Sequence, residues 1–153
     1  MTTRGIQDLN QKGIAHELVK YDHKEKGADF AARAVGFALA QTVKTLVVAL
    51  DGKHYALVLM SGDRQVSMKK VAAACGAKRA AMADTATAER LTGYLVGGIS
   101  PFGIKRALPV VMDAAIAVYD KVMINAGSRG IMVKMAPADI VRTLGALVSD
   151  VAV

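Results

Sequence analysis

Two apolar runs, Lys44-Thr-Leu-Val-Val-Ala-Leu50 and Tyr55-Ala-Leu-Val-Leu-Met60, flank Asp51-Gly52 and dominate the hydrophobic pattern. Both are rich in strand-forming residues, and an Asp-Gly pair supplies the positive φ angles of a tight hairpin turn. Elsewhere the apolar spacing lengthens to that of a helix. Ile6 and Leu9, stopped by Gln11-Lys12-Gly13, predict a short first helix. His16 to Tyr21 alternates as a strand, Tyr21 to Asp29 reads as a charged loop, and Asp29 caps a helix carrying Phe30, Ala34, Phe37 and Ala38. Ser67 caps a helix over Met68–Cys75 that ends at Gly76, and Asp84 caps one through Leu91 that ends at Gly93. Strands follow around Leu108–Met112, Lys121–Asn125 and Gly130–Met135. Pro137 then opens a last helix to Leu144, Gly145 closes it, and Ala146–Val148 forms a final strand. Helices interleaved with hairpins predict an α/β (α+β) fold, a mixed sheet with flanking helices.

Composition narrows the class. The 153 residues are 53% hydrophobic and 22% charged, which excludes disorder and provides for one buried core. No repeat or Pro/Ser-rich linker interrupts the chain, so one domain over 1–153 is expected. No apolar run approaches the ~18–20 residues of a membrane span. The N-terminus lacks a signal-peptide core, and a lone Cys75 cannot form an internal disulfide. A cytoplasmic protein without a membrane partner is the expectation.

Charge adds a clue. Lys and Arg number 20 against 13 Asp and Glu, a net +7. Most of the surplus lies between Arg64 and Arg106, where eight basic residues face only Asp84 and Glu89. Such a window serves either solubility or a polyanionic partner. With 5% aromatic residues and no Trp, a stacking platform for single strands is not indicated.

Conventional catalytic motifs are absent. No Cys-x-x-Cys or paired histidine provides a metal site, and neither a Walker loop nor a dinucleotide fingerprint occurs. Cys75, in an Ala-rich helix before a capping glycine, reads as a small core residue, because a helix C-terminus disfavours a thiolate. Two stretches are harder to explain by packing. Leu91-Thr-Gly-Tyr-Leu-Val-Gly-Gly-Ile-Ser-Pro-Phe-Gly103 is either a glycine-bent strand or a loop offering bare amides to a ligand. Asn125-Ala-Gly-Ser-Arg-Gly130 reads as a tight loop between two strands, carrying Arg129. Lys44, opening an apolar strand, either snorkels from the strand end or serves a ligand.

Together these stretches resemble the YbaK/EbsC family of aminoacyl-tRNA deacylases, relatives of the editing domain inserted in bacterial prolyl-tRNA synthetases. The most specific block is Ala88-Glu-Arg-Leu-Thr-Gly-Tyr-Leu-Val-Gly-Gly-Ile-Ser-Pro101. Val43–Val48, Lys69–Ala73, Gly76–Lys78, Met82–Asp84, Lys105–Pro109, Asn125–Gly130 and Ala136–Asp139 support it. The resemblance implies a curved mixed sheet or open barrel enclosing a cleft, and hydrolytic release of an amino acid wrongly attached to tRNA.

For site residues, the resemblance implies that Lys44 holds the 3′-terminal nucleotide. Gly97, Gly98, Ile99 and Ser100 would offer backbone N–H groups to the ester carbonyl. Tyr21, Phe30, Thr45, Pro101, Asn125, Gly127 and Arg129 would shape the amino-acid pocket. Lys69, Lys70, Lys78, Arg79, Lys105 and Arg106 would carry the RNA. No metal or cofactor is implied. For a cysteinyl ester the substrate's own thiol is the implied nucleophile, so no side-chain triad is needed. Cys-tRNA(Pro) is the expected substrate and prolyl-tRNA synthetase a possible partner in trans. The chain departs from the commoner family pattern at Lys24–Ala28, Asn125 and Met132. An Ala-tRNA(Pro) deacylase, a non-catalytic tRNA- or synthetase-binding module and a small-ester hydrolase stay open as alternatives.

Overall fold

The computed structural model describes residues 2–21 and 38–153. The predicted helix from Asp29, with Phe30, the Lys24–Ala28 loop and His23, lies outside the described residues. Within them, the strongest sequence signal forms the middle of an eight-stranded sheet. Strands β2 (Thr42–Leu50) and β3 (His54–Ser61) pair antiparallel from Val43↔Ser61 to Leu50↔His54. Their turn places Asp51 at φ 53° and Gly52 at φ 65°, the left-handed pair that Asp-Gly allows.

The remaining strands are β1 (Glu17–Lys20), β4 (Ala80–Met82), β5 (Val110–Asp113), β6 (Val122–Ser128), β7 (Ile131–Met135) and β8 (Leu147–Ser149). They run in the order β1-β7-β6-β2-β3-β5-β8, with β4 joined to β2 beside that path. β2–β6, β3–β5 and β5–β8 are parallel, so the sheet is mixed.

Four α-helices flank it among the described residues: α1 (Arg4–Gln11), α2 (Met68–Ala74), α3 (Thr85–Thr92) and α4 (Pro137–Leu144). Their ends follow the sequence signals. Ser67 Oγ accepts from the Lys70 N–H at 3.3 Å, and Asp84 Oδ1 accepts from the Thr87 N–H at 2.7 Å. Gly93 at φ 80° and Gly145 at φ 62° end α3 and α4 in the left-handed conformation.

β3 is covered on both faces, which explains its unbroken apolar run. Leu57 and Leu59 join Leu9, Phe102, Met112 and Ile140 in the larger core. Ala56, Val58 and Met60 join Val71 of α2 and Val151 in the smaller one. Each fully buried aliphatic side chain of this kind contributes roughly 1.5–3 kcal/mol.

Two elements differ from the sequence reading. β4 was not predicted, because Ala80-Ala81-Met82 has no β-branched residue. Asn125–Ser128, read as a loop, belongs to β6, which continues past Asn125 through a bulge between Asn125 and Ser128. Only Arg129 and Gly130 turn the chain into β7.

Candidate functional site

β2 changes partner along one of its edges. β6 pairs with Thr42 and Val43, β4 pairs with Val48 to Leu50, and among the described residues no strand pairs with residues 44–47 on that side. A cavity of about 340 Å³ fills this fork. Its walls are Lys44–Val47 of β2, Met82 and Ala83 after β4, Thr85 and Ala88 of α3, Val96, Gly97 and Ile99 of the glycine loop, and Asn125 and Met132 of the β6–β7 hairpin. Tyr21, Thr42 and Val43 complete it.

The glycine loop is held in place from three directions. Gly98 N–H donates to the Leu95 carbonyl at 2.9 Å, closing a tight turn in which Gly97 sits at φ +98°. The Val96 N–H donates to Glu89 Oε2 of α3 at 2.8 Å. The Val96 carbonyl accepts from Arg129 Nη2 at 3.1 Å, and the Gly97 carbonyl accepts a longer bond from Asn125 Nδ2 at 3.4 Å. Asn125 is itself oriented, since its Oδ1 accepts from the Gly127 N–H at 2.7 Å.

The loop's far end is pinned by Tyr94 and Arg4. The buried Tyr94 hydroxyl donates to the Phe102 carbonyl, and Arg4 lies over the Tyr94 ring while its Nη2 donates to the Gly103 carbonyl at 2.8 Å. Burial pushes the Tyr94 phenol above its ordinary pKa, so it stays a neutral donor.

With Leu95, Val96 and Gly97 carbonyls committed to donors, the loop's amides are left over. The N–H groups of Gly97 and Ile99 donate to no acceptor among the described residues. Both residues line the cavity. Two unpaired N–H groups separated by one residue at a cavity wall can stabilise an oxygen that gains negative charge.

The other candidates divide clearly. Lys44, Thr45, Tyr21 and Asn125 reach the cavity with Gly97 and Ile99. Lys44 is half-buried, and its Nζ donates to the Arg64 carbonyl at 2.8 Å. The Thr45 hydroxyl is buried without a hydrogen-bond partner among the described residues. Phe30 lies outside the described residues. Gly98, Ser100, Pro101, Gly127 and Arg129 do not line the cavity. Ser100 is fully buried and its Oγ accepts from the Phe102 N–H at 3.2 Å. Pro101 lines a separate hollow between α1 and α4. Gly127 leaves room for the Tyr94 ring, and Arg129 props the loop from outside.

Sequence reasoning missed Glu89 as the second prop. It also missed the apolar wall of Met82 and Val96, which are 50% and 42% exposed. Glu89 stood inside the matched block, but nothing in the spacing showed that it reaches seven residues forward.

The six basic residues assigned to RNA lie on three segments, and none lines the cavity. Lys69 and Lys70 are on α2, where Lys70 Nζ is held by Asp150 Oδ2 at 3.1 Å and the Ala152 carbonyl at 2.8 Å. The backbone N–H groups of Lys78 and Arg79 bond Asp51 at the β2–β3 turn, at 3.0 and 2.9 Å. Those of Lys105 and Arg106 bond the Thr92 and Leu91 carbonyls at the end of α3. All six side chains are exposed.

Among the described residues no group of three or more His, Cys, Asp or Glu could hold a metal ion, and no helix is long and apolar enough to cross a membrane. Cys75 is half-buried at the end of α2, and burial raises its thiol pKa.

Comparison with known proteins places this geometry in context. The family model for the aminoacyl-tRNA editing domain matches residues 24–143. EbsC of Enterococcus faecalis, a proposed Cys-tRNA(Pro)/Cys-tRNA(Cys) deacylase, is 30% identical over 137 residues, covering 88% of this chain and 84% of its own. The multifunctional Ser/Thr-tRNA deacylase ProXp-y of Escherichia coli is 29% identical over 143 residues, covering 91% and 85%. A crystal structure described as that of a proposed trans-editing enzyme for prolyl-tRNA synthetase superposes with TM-score 0.90 at 27% identity, over 98% of this chain and 95% of that one.

Proposed function

The chain belongs to the aminoacyl-tRNA editing domain family, and we propose that it acts in trans as a deacylase whose preferred substrate is Cys-tRNA(Pro). The observation that carries this reading is the pair of unbonded amides, Gly97 and Ile99, in the wall of a cavity whose lining, among the described residues, holds no Ser, Cys or His. The ester carbonyl oxygen sits against those two N–H groups, which strengthen their bonds as it becomes an oxyanion. Lys44, at the same cavity, supplies positive charge to the phosphate of the terminal nucleotide.

For a cysteinyl ester the substrate's thiol completes the chemistry. Sulfur attacks the carbonyl carbon and a carbon–sulfur bond forms. The carbon–oxygen bond to the ribose breaks, and the thiol proton passes to the departing ribose oxygen. The products are a cyclic thiolactone, which water opens to cysteine, and intact tRNA. The protein contributes orientation and charge stabilisation.

The buried Thr45 hydroxyl, without a partner among the described residues, favours a polar aminoacyl side chain over the methyl of alanine. That same hydroxyl supports a second reading, a seryl or threonyl ester, as the name of the E. coli relative suggests for that protein. Prolyl-tRNA synthetase is the proposed partner in trans, on the description of the similar crystal structure. Initial rates on cysteinyl-, alanyl- and seryl-tRNA(Pro), measured side by side, test the assignment. Cysteine release fastest supports it; alanine release fastest overturns the substrate and keeps the deacylase.

A further inference from the structure

The fork in the sheet leaves backbone groups of β2 without partners among the described residues, at the cavity. N–H and C=O of one strand residue point to the same edge, and successive residues point to opposite edges. The Thr42 carbonyl accepts from Gly62 N–H on the β3 side, whereas the Val47 carbonyl accepts from Ala83 N–H on the fork side. Odd-numbered residues therefore address the fork. Thr45 presents both its N–H and its C=O there, and Val47 presents its N–H. None of the three is bonded among the described residues.

Resting on the deacylase reading above, we propose that this edge is the subsite for the adenine base at the 3′ end of the tRNA. Three features select such a base. Across the Thr45 carbonyl and the Val47 N–H the edge offers an acceptor and then a donor, the complement of adenine's 6-amino group and ring N1. The unpaired stretch spans residues 44–47, about 10 Å, closed at one end by β6 and at the other by β4. That gap admits one planar ring and stops a peptide from adding as a strand. Finally, Met82 and Val96 line the cavity while remaining half-exposed, giving apolar surfaces, one a thioether, against which the ring faces pack. Gly97 and Ile99 line the same cavity from the glycine loop. Base and ester would thus be held in one cavity, the base by the β2 edge and the ester carbonyl by the glycine loop.

The test uses the whole chain labelled with 15N and two nucleotides, AMP and 1,N6-etheno-AMP, whose bridge blocks both the 6-amino group and N1. AMP is expected to shift the Thr45 and Val47 amide resonances, with the etheno nucleotide binding about tenfold more weakly. In parallel, aminoacyl-tRNA ending in purine riboside, which lacks the 6-amino group, is expected to lose about tenfold in kcat/KM through KM. Equal affinity of the two nucleotides, shifts that spare Thr45 and Val47, or absence of AMP binding at millimolar concentration overturns the subsite. If AMP binds at the fork and no aminoacyl-tRNA is cleaved, the deacylase reading fails and the base site stands. Cleavage indifferent to the terminal base fails the base site alone.

Discussion

The Arg129 guanidinium occupies the space that a side chain on Gly97 would need: a Cβ there would overlap Arg129 Nε. The same guanidinium holds the Val96 carbonyl at 3.1 Å, so moving aside would release the loop. Gly97 also stands at φ +98°, where any other residue is strained. Gly97→Ala is therefore expected to lower kcat/KM about a hundredfold, mainly through kcat, while the far-UV circular dichroism is unchanged. Arg129→Ala in the same background tests the coupling. If the two changes cost less together than their separate effects predict, the residues act through one loop position.

Among the described residues Lys44 has one hydrogen bond, to the Arg64 carbonyl, and no carboxylate partner. Lys44→Ala should raise KM for aminoacyl-tRNA about tenfold or more, leave kcat within a few-fold, and reduce the salt dependence of binding by about one phosphate contact. Titrating salt against KM for both proteins checks the slope.

Asp84 links pH to the cavity wall. Its carboxylate caps α3, whose first turn contributes Thr85 to the cavity, and the hydrogen bond from the Thr87 backbone N–H holds its pKa below the ordinary carboxylate value. A depressed folded-state pKa gives stability that is present above the unfolded value, about 4, and is lost as pH falls through the folded value. Thermal unfolding midpoints should therefore drop more steeply below pH 4 in the natural protein than in Asp84→Asn, which keeps a capping oxygen without an ionisation. Parallel curves would remove Asp84 from the acid response.

Cys75 packs at the edge of the smaller core, away from the cavity lining, and its thiol is shifted toward the protonated form. Cys75→Ala should leave deacylation unchanged and alter stability by no more than about 1 kcal/mol. An alkylating reagent should likewise fail to inhibit.

Much of this was legible in the residues themselves, because local chemistry decides it. Ser67, Asp84, Pro137 and Gly145 mark helix ends by the hydrogen bonds or φ angles they supply, and each marks one here. Asp51-Gly52 defines a turn, and that turn fixes the register from Val43 to Ser61.

The fork was not legible. It depends on β4 and β6 meeting the same edge of β2 at different points, a fact of register between segments dozens of residues apart. Arg129 shows the same limit. Its type and spacing read only as a tight loop between strands, and they did not show that its guanidinium reaches the Val96 carbonyl. Ser100 stood beside the loop glycines in sequence and yet turns inward, where its oxygen serves the Phe102 amide.

The central claim is that a backbone-lined cavity performs ester cleavage with turnover. It is tested by following loss of labelled cysteine from tRNA(Pro) with the tRNA in large excess over protein. Catalysis predicts first-order release well beyond one equivalent per protein, greatly slowed by Gly97→Ala. Stoichiometric, salt-sensitive binding of the tRNA with the ester intact would contradict it and make the chain a binding module.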